Sequence, residues 1–171
     1  MPGELGVWLA LLNMAQPVDV MEIGTHEGRS ARIILDHVTS VRSYFGIDVE
    51  PGYVFKALGQ TTHNEIPKVP GRYALADHRY HLIIRKRGSF DIDSAPQMDA
   101  VIIDGDHCAE AVTNDTNLAR RIIRPGGVII WHDYCQNNRT DVPQMLESFR
   151  AQGAPIFHAR DTHTAFEFIK K

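Results

Sequence analysis

Cysteine is scarce in this chain: Cys108 and Cys135 are the only two among 171 residues. That is too few for the disulfide framework that holds small secreted domains together. An excess of positive charge is also missing. Eighteen Lys and Arg stand against 21 Asp and Glu, a net charge of -3, so no electrostatic footprint points to nucleic acid. The short basic clusters Arg85-Lys86-Arg87 and Arg120-Arg121 are not interleaved with aromatics that would stack on bases. No apolar run approaches the roughly 20 residues that span a bilayer, and there is no internal repeat or low-complexity segment. The opening stretch MPGELGVWLALLNMAQ has no basic leader and spaces its apolar residues as on one side of a helix. The expectation is a cytoplasmic protein with a small-molecule partner and no nucleic-acid or membrane partner.

What is present is an alternation of apolar runs and helical patterns. Hydrophobic content of 43% and a length within the usual range of one domain predict a single unit over 1–171, with an N-terminal helix over 1–16 and an α/β core over 17–171. VDVMEIG and SYFGIDV read as strands with the helix GRSARIILDHVTS between them. HLIIRKRGS, MDAVIIDGD and GGVIIWHDY read as further strands, the last two separated by the helix AEAVTNDTNLARRII. The Gly-, Pro- and His-rich segment from Pro51 to Tyr80 predicts an irregular helix. After the helix DVPQMLESFRAQ, PIFHAR and TAFEFIK are joined by a turn too short for a parallel crossover, so that pair is antiparallel. The predicted fold is a Rossmann-like α/β sheet of seven strands, mostly parallel, with an antiparallel C-terminal hairpin and helices on both faces.

Such sheets bind ligands beyond the carboxyl ends of their strands. That rule collects Gly24 to Gly28, Asp48, Gly88 and Ser89, Asp104 to Cys108, and His132 to Cys135 at one edge. In VMEIGTHEGRS, Gly24 and Gly28 allow a ligand to approach the backbone at the start of a helix whose first amides are free. Asp48, about 20 residues beyond Gly28 at the end of the next strand, is placed to accept the hydroxyls of a ribose. A dinucleotide and S-adenosylmethionine both carry one. The spacing is G-x-x-x-G rather than the G-x-G-x-x-G of pyrophosphate binding, and Glu22 suits a methionine ammonium better than a phosphate, which favours S-adenosylmethionine.

VMEIGTHEGRSA, FGIDVE and RPGGVIIWHDY, in that order, resemble the first motif, the ribose-binding strand end and the proline-glycine-glycine turn of class I S-adenosylmethionine-dependent methyltransferases, a likeness that covers nearly the whole chain. AVIIDGDH followed by HDY resembles more specifically the branch of cephalosporin hydroxylase-like proteins and, more distantly, the metal-dependent catechol-type O-methyltransferases. The resemblance implies that Glu22 lies near the methionine part of the cofactor, with Gly24, Thr25, Gly28 and Ser30 of the same motif also binding it. It implies Asp48 at the ribose, Ser89 with Phe90 near the adenine, and Asp104 beside the cofactor as well as in a metal site.

IDGDH and WHDY bring Asp104, Asp106, His107, His132 and Asp133 to the ends of two strands that are neighbours in this fold. Carboxylates gathered in this way repel unless a cation or proton intervenes, and oxygen ligands suit Mg²⁺, Mn²⁺ or Ca²⁺. The resemblance implies Asp104 and Asp133 as ligands, with His132 or Tyr134 as the third. The catechol-type enzymes carry an amide residue after the second aspartate and a lysine near the first, where this chain has Tyr134 and His107. His107 is a candidate general base or a group that orients a carboxylate, with Asp104 as its catalytic companion. Asp106 reads better as a helix cap. A zinc site from Cys108, Cys135 and the histidines ranks below a hard cation, and His26 and His163 are minor candidates at the same edge. The implied reaction is O-methylation of a small-molecule hydroxyl. The alternatives are an NAD(P)-dependent oxidoreductase and a cofactor-binding domain without chemistry. Slight terminal extensions and loops leave the acceptor side open, which suggests a homodimer.

Overall fold

The computed structural model of the protein describes residues 2–56, 66–134 and 140–170. Helix α1 (Pro2–Ala15) precedes β1 (Asp19–Ile23), α2 (Arg29–His37), β2 (Ser43–Val49) and β3 (Tyr80–Arg85). Then come β4 (Met98–Ile103), α3 (Ala109–Ile122), β5 (Ile123–Trp131), α4 (Val142–Ala151), β6 (Phe157–His158) and β7 (Ala165–Phe168). The strands form one sheet in the order β3-β2-β1-β4-β5-β7-β6. The first five in that order are parallel, and β7 runs antiparallel to both β5 and β6. This is the predicted Rossmann-like arrangement.

Helices cover both faces, which explains why the central strands are apolar without alternation. Met21, Ile23, Val101 and Ile103 pack with Val112 and Leu118 of α3 and Leu146 of α4. On the other side Val20, Ala100 and Ile102 pack with Trp8 and Leu12 of α1 and Ile34 and Leu35 of α2. Burying each of these larger side chains contributes roughly 1.5–3 kcal/mol. The buried residues of α1, Glu4, Trp8, Leu11 and Leu12, recur at the spacing of one helical face. Among the described residues no helix is long and apolar enough to cross a membrane.

The segment between β2 and β3 differs from the expected irregular helix. Residues 57–65 lie outside the described residues. In the rest the chain makes successive turns, with Ala74 N donating to Gly71 O at 2.8 Å and Asp77 N to Ala74 O at 2.9 Å. Pro67 and Pro70 withhold amide donors, and Gly71 takes a left-handed φ of 70°, so no helical ladder propagates. Strand ends also fall earlier than read: β3 stops at Arg85, with a 3₁₀ turn over Gly88–Asp91, and β5 stops at Trp131. Asp104, His107, His132 and Asp133 therefore sit in loops just past the strands, while Asp48 lies near the end of β2 itself.

Candidate functional site

Strand register aligns the site. Ile23 of β1 pairs with Ile47 of β2 and Ile103 of β4, and Ile103 pairs with Trp131 of β5. The next residue on each strand, Asp48, Gly24, Asp104 and His132 in sheet order, therefore stands in one row along the carboxyl edge. Backbone bonds continue the row past the strands, Gly24 N to Ile47 O at 2.8 Å, Asp104 N to Ile23 O at 2.8 Å and His132 N to Ile103 O at 3.0 Å. A cleft of about 320 Å³ opens over it, within the range of small-molecule sites.

The glycine turn is held by packing as much as by any ligand. Gly24 has φ 91°, and a Cβ there would meet the Asp104 carbonyl oxygen at 2.1 Å, so only glycine lets the β1 and β4 loops touch. Gly28, at φ 75°, packs against the backbone of Gly71. Beneath the turn Glu22 is fully buried. Thr25 Oγ1 donates to Glu22 Oε2 at 2.8 Å and Ser30 Oγ donates to Oε1. Burial pushes the Glu22 carboxyl up to about 7, against the lowering effect of those hydroxyls. Of the residues expected at the cofactor, Gly24, Asp48, Ser89, Phe90 and Asp104 line the cleft. Glu22, Thr25, Gly28 and Ser30 form the layer below and are not among its lining residues.

Asp48 is nearly buried, and each of its oxygens takes one backbone amide, Oδ2 from His26 at 2.5 Å and Oδ1 from Val49 at 2.8 Å. The clamp fixes the carboxylate while leaving a lone pair on each oxygen for a hydroxyl. Burial raises its pKa, against the two amides. His26, at φ 47°, lines the cleft beside it.

On the other side of Gly24, donor atoms of Asp104, His107 and Asp133 all lie within 4.8 Å of one another. His107 Nε2 is 3.5 Å from Asp104 Oδ1, and its Nδ1 is 3.4 Å from Asp133 Oδ2. Asp133 holds a left-handed φ of 55°, a conformation that aspartate tolerates better than most residues and that tends to persist where function demands it. His132 lies beside the group, with Nδ1 2.9 Å from Asp104 Oδ1 and Nε2 2.8 Å from Glu4 Oε2. Burial opposes charge on this ring, but Asp104, Asp133 and Glu4 outweigh it and push its pKa up to about 10, so it stands as an imidazolium with both nitrogens donating. Burial likewise opposes charge on Asp104, and His132 and His107 hold it well below the carboxylate range. The structure thus brings His107 into the three-donor group and sets His132 against Asp104 as a counter-charge.

The remaining candidates are dispersed. Tyr134 turns away, donating to Glu147 and accepting from Arg150 Nη1 at 3.1 Å. His163 lies under α1, Nδ1 3.4 Å from Glu4 Oε1. Cys108 is buried at the start of α3, and Cys135 lies outside the described residues. Asp106 holds a loop rather than a helical amide of α3: Oδ1 accepts from Cys108 N at 3.2 Å, ahead of the first helical residue, while Oδ2 accepts from Lys56 N at 2.9 Å and Tyr53 Oη at 3.2 Å, drawing that segment over the cleft. The cap on Ala109 N comes from Asp141 Oδ2 at 2.8 Å. Glu4, Tyr53, Phe55 and Asp115 were missed in the sequence. For Glu4 there was a signal, an acid on the buried face of an otherwise apolar helix.

A family model for a methyltransferase domain matches residues 21–134, which include the glycine turn and both acidic strand ends. An uncharacterized protein of Acanthamoeba polyphaga mimivirus is 29% identical over 156 residues, 87% of this chain, and the chain spans 65% of that relative's length. Among solved structures, the O-methyltransferase TomG from Streptomyces achromogenes, involved in tomaymycin synthesis and bound to S-adenosylmethionine, superposes with a TM-score of 0.65 at 12% identity, over 100% of this chain and 81% of its own. The O-methyltransferase from Bacillus cereus in complex with S-adenosylhomocysteine gives 0.64 at 16% identity, over 98% and 81%. At such identities the likeness is one of fold, and it agrees with the family match: the chain belongs to the methyltransferase domain family.

Proposed function

We propose that the protein is an S-adenosylmethionine-dependent methyltransferase that acts on a hydroxyl of a small-molecule acceptor with the help of a divalent cation. One observation carries the reading: a single cleft joins a clamped, ribose-type aspartate, Asp48, to the close group of Asp104, His107 and Asp133. Two carboxylates and an imidazole with mutually close donor atoms fit Mg²⁺ or Mn²⁺. Asp104, Asp133 and His107 would hold the ion, and the positive charge it supplies when bound lowers the pKa of a nearby acceptor hydroxyl.

The chain's own residues do the rest. Asp48 fixes the adenosyl end by accepting ribose hydroxyls, so that the methyl on sulfur faces the acidic group. His132, held by Glu4, keeps Asp104 in place and offsets part of the cluster's negative charge. Transfer forms the bond from acceptor oxygen to methyl carbon while the carbon–sulfur bond breaks toward sulfur, and the acceptor's proton leaves to water.

A second reading, His107 as the proton acceptor without a cation, is favoured by the position of its ring between the two carboxylates. Metal-stripped protein, given S-adenosylmethionine labelled in its methyl group and a panel of catechol, phenol and sugar hydroxyls, separates the two. The cation reading predicts turnover restored by Mg²⁺ or Mn²⁺ and lost in Asp104→Ala and Asp133→Asn. Turnover indifferent to chelators and intact in both variants would remove the cation.

A further inference from the structure

The strand order places β1 between β2 and β4, so a segment that leaves β2 and fastens beyond β4 has to pass over the β1 turn. Residues 51–56 do this. Tyr53 and Phe55 line the cleft, as do Gly24 and His26 of the turn, while Val54 between the two rings is 76% exposed. That alternation belongs to an extended chain with one face turned inward. The inward rings meet edge to face, with centroids 5.1 Å apart.

The far end of the segment is held by one carboxylate. Asp106 Oδ2 accepts from Tyr53 Oη at 3.2 Å and from Lys56 N at 2.9 Å, and Lys56 Nζ reaches Glu110 Oε2 on α3 at 2.7 Å. Asp106 is buried, whereas the Lys56 and Glu110 side chains are largely exposed, so the buried carboxylate supplies most of the hold. At the near end the chain continues from β2, whose pairing with β3 runs to Val49. Between these ends Pro51, Gly52 and Val54 are exposed, and little packing opposes lifting of the segment.

We infer that residues 51–56 are a strap over the cofactor cleft, latched by Asp106, and that its unlatching sets the rate at which the adenosyl ligand enters and leaves. The inference rests on the function proposed above. A ligand that spans Asp48 to Asp104 lies under Tyr53 and Phe55, because the strap crosses the same interval of the sheet edge. The latch is made of protein groups alone, so lifting the strap costs the same on the way in as on the way out. A gate of this kind changes both rates and leaves the affinity where it was.

Surface plasmon resonance of the immobilised full chain with S-adenosylhomocysteine tests it. Tyr53→Phe keeps the ring in the cleft and removes only its bond to Asp106. The association and dissociation rate constants should both rise about threefold or more, with the dissociation constant within about twofold of wild type. Asp106→Ala, checked for folding by its thermal transition, loses the Lys56 bond as well and should raise both rates further. Faster dissociation alone in Tyr53→Phe, with affinity lost, shows a ligand contact and overturns the gate. Unchanged rates in either variant also overturn it. The cofactor reading survives both of those results, because wild-type binding carries it. No binding of S-adenosylhomocysteine to the wild type overturns both readings.

Discussion

Glu4 of the first helix and His132 at the end of the fifth strand, 128 positions apart, meet at 2.8 Å between carboxylate Oε2 and imidazole Nε2. The same carboxylate accepts from His163 N at 3.0 Å through Oε1, so one side chain ties α1 to both the acidic edge and the C-terminal hairpin. Glu4 is 7% exposed, and truncating one partner of a buried pair leaves the other charged without compensation. Glu4→Ala should lower the unfolding free energy in urea by about 2–4 kcal/mol. Glu147→Ala, which removes a half-exposed partner of Arg150, should cost about 1 kcal/mol or less. Similar losses for the two would show that the Glu4 contact contributes no more than a surface pair.

Gly24 and Gly52 share a left-handed φ, 91° and 96°, but differ in surroundings. A Cβ on Gly52 meets nothing within 4 Å, whereas on Gly24 it strikes the Asp104 backbone. Gly52→Ala should therefore cost only the backbone strain, about 1–2 kcal/mol. Gly24→Ala should cost more than that and also weaken S-adenosylhomocysteine binding, because the β4 loop must move. Thermal unfolding and ligand titration of the two variants read this directly, and equal effects would contradict it.

The buried Glu22 carboxyl makes stability depend on pH in a definite direction. Its pKa rises from 4.5 to about 7 on folding, so between those values the folded state binds more protons than the unfolded one. Its contribution is then most favourable below about pH 4.5 and declines as pH rises through 7. Glu22→Gln removes the titration, and the difference in unfolding free energy between pH 5 and pH 8 should shrink by an amount on the order of 1–3 kcal/mol. A variant with the wild-type pH dependence would show that Glu22 titrates normally in the folded protein.

Much of this architecture is legible from residue order because strands buried on both faces must be continuously apolar, and the acids of FGIDV, IIDGD and WHDY mark where burial ends. That logic finds Asp48, Asp104 and Asp133. It does not find Glu4, whose partners come from packing of α1 on β5 and the hairpin, nor Asp115, which looks like any polar residue inside a helix until α3 is set against the 3₁₀ turn. The glycine turn is half legible: the need for glycine at position 24 can be read, but its cause includes the carbonyl of Asp104, a contact between distant strands. Register also divides the first motif, since Gly24 follows Ile23 into the cleft while Glu22 points into the layer under it. The segment after β2 misleads because its Pro and Gly residues break the ladder that its length suggests.

On the proposed function, the cleft over Asp48, Gly24 and Asp104 takes an adenosyl cofactor with its methyl toward the acidic end. Calorimetric titration of the purified wild-type chain with S-adenosylhomocysteine, with NAD as the comparison, measures this. S-adenosylhomocysteine should bind saturably at about one per chain, about tenfold or more weaker in Asp48→Ala by loss of the ribose contacts, and NAD should show no measurable binding. Binding of NAD in place of S-adenosylhomocysteine, or of neither, would contradict it.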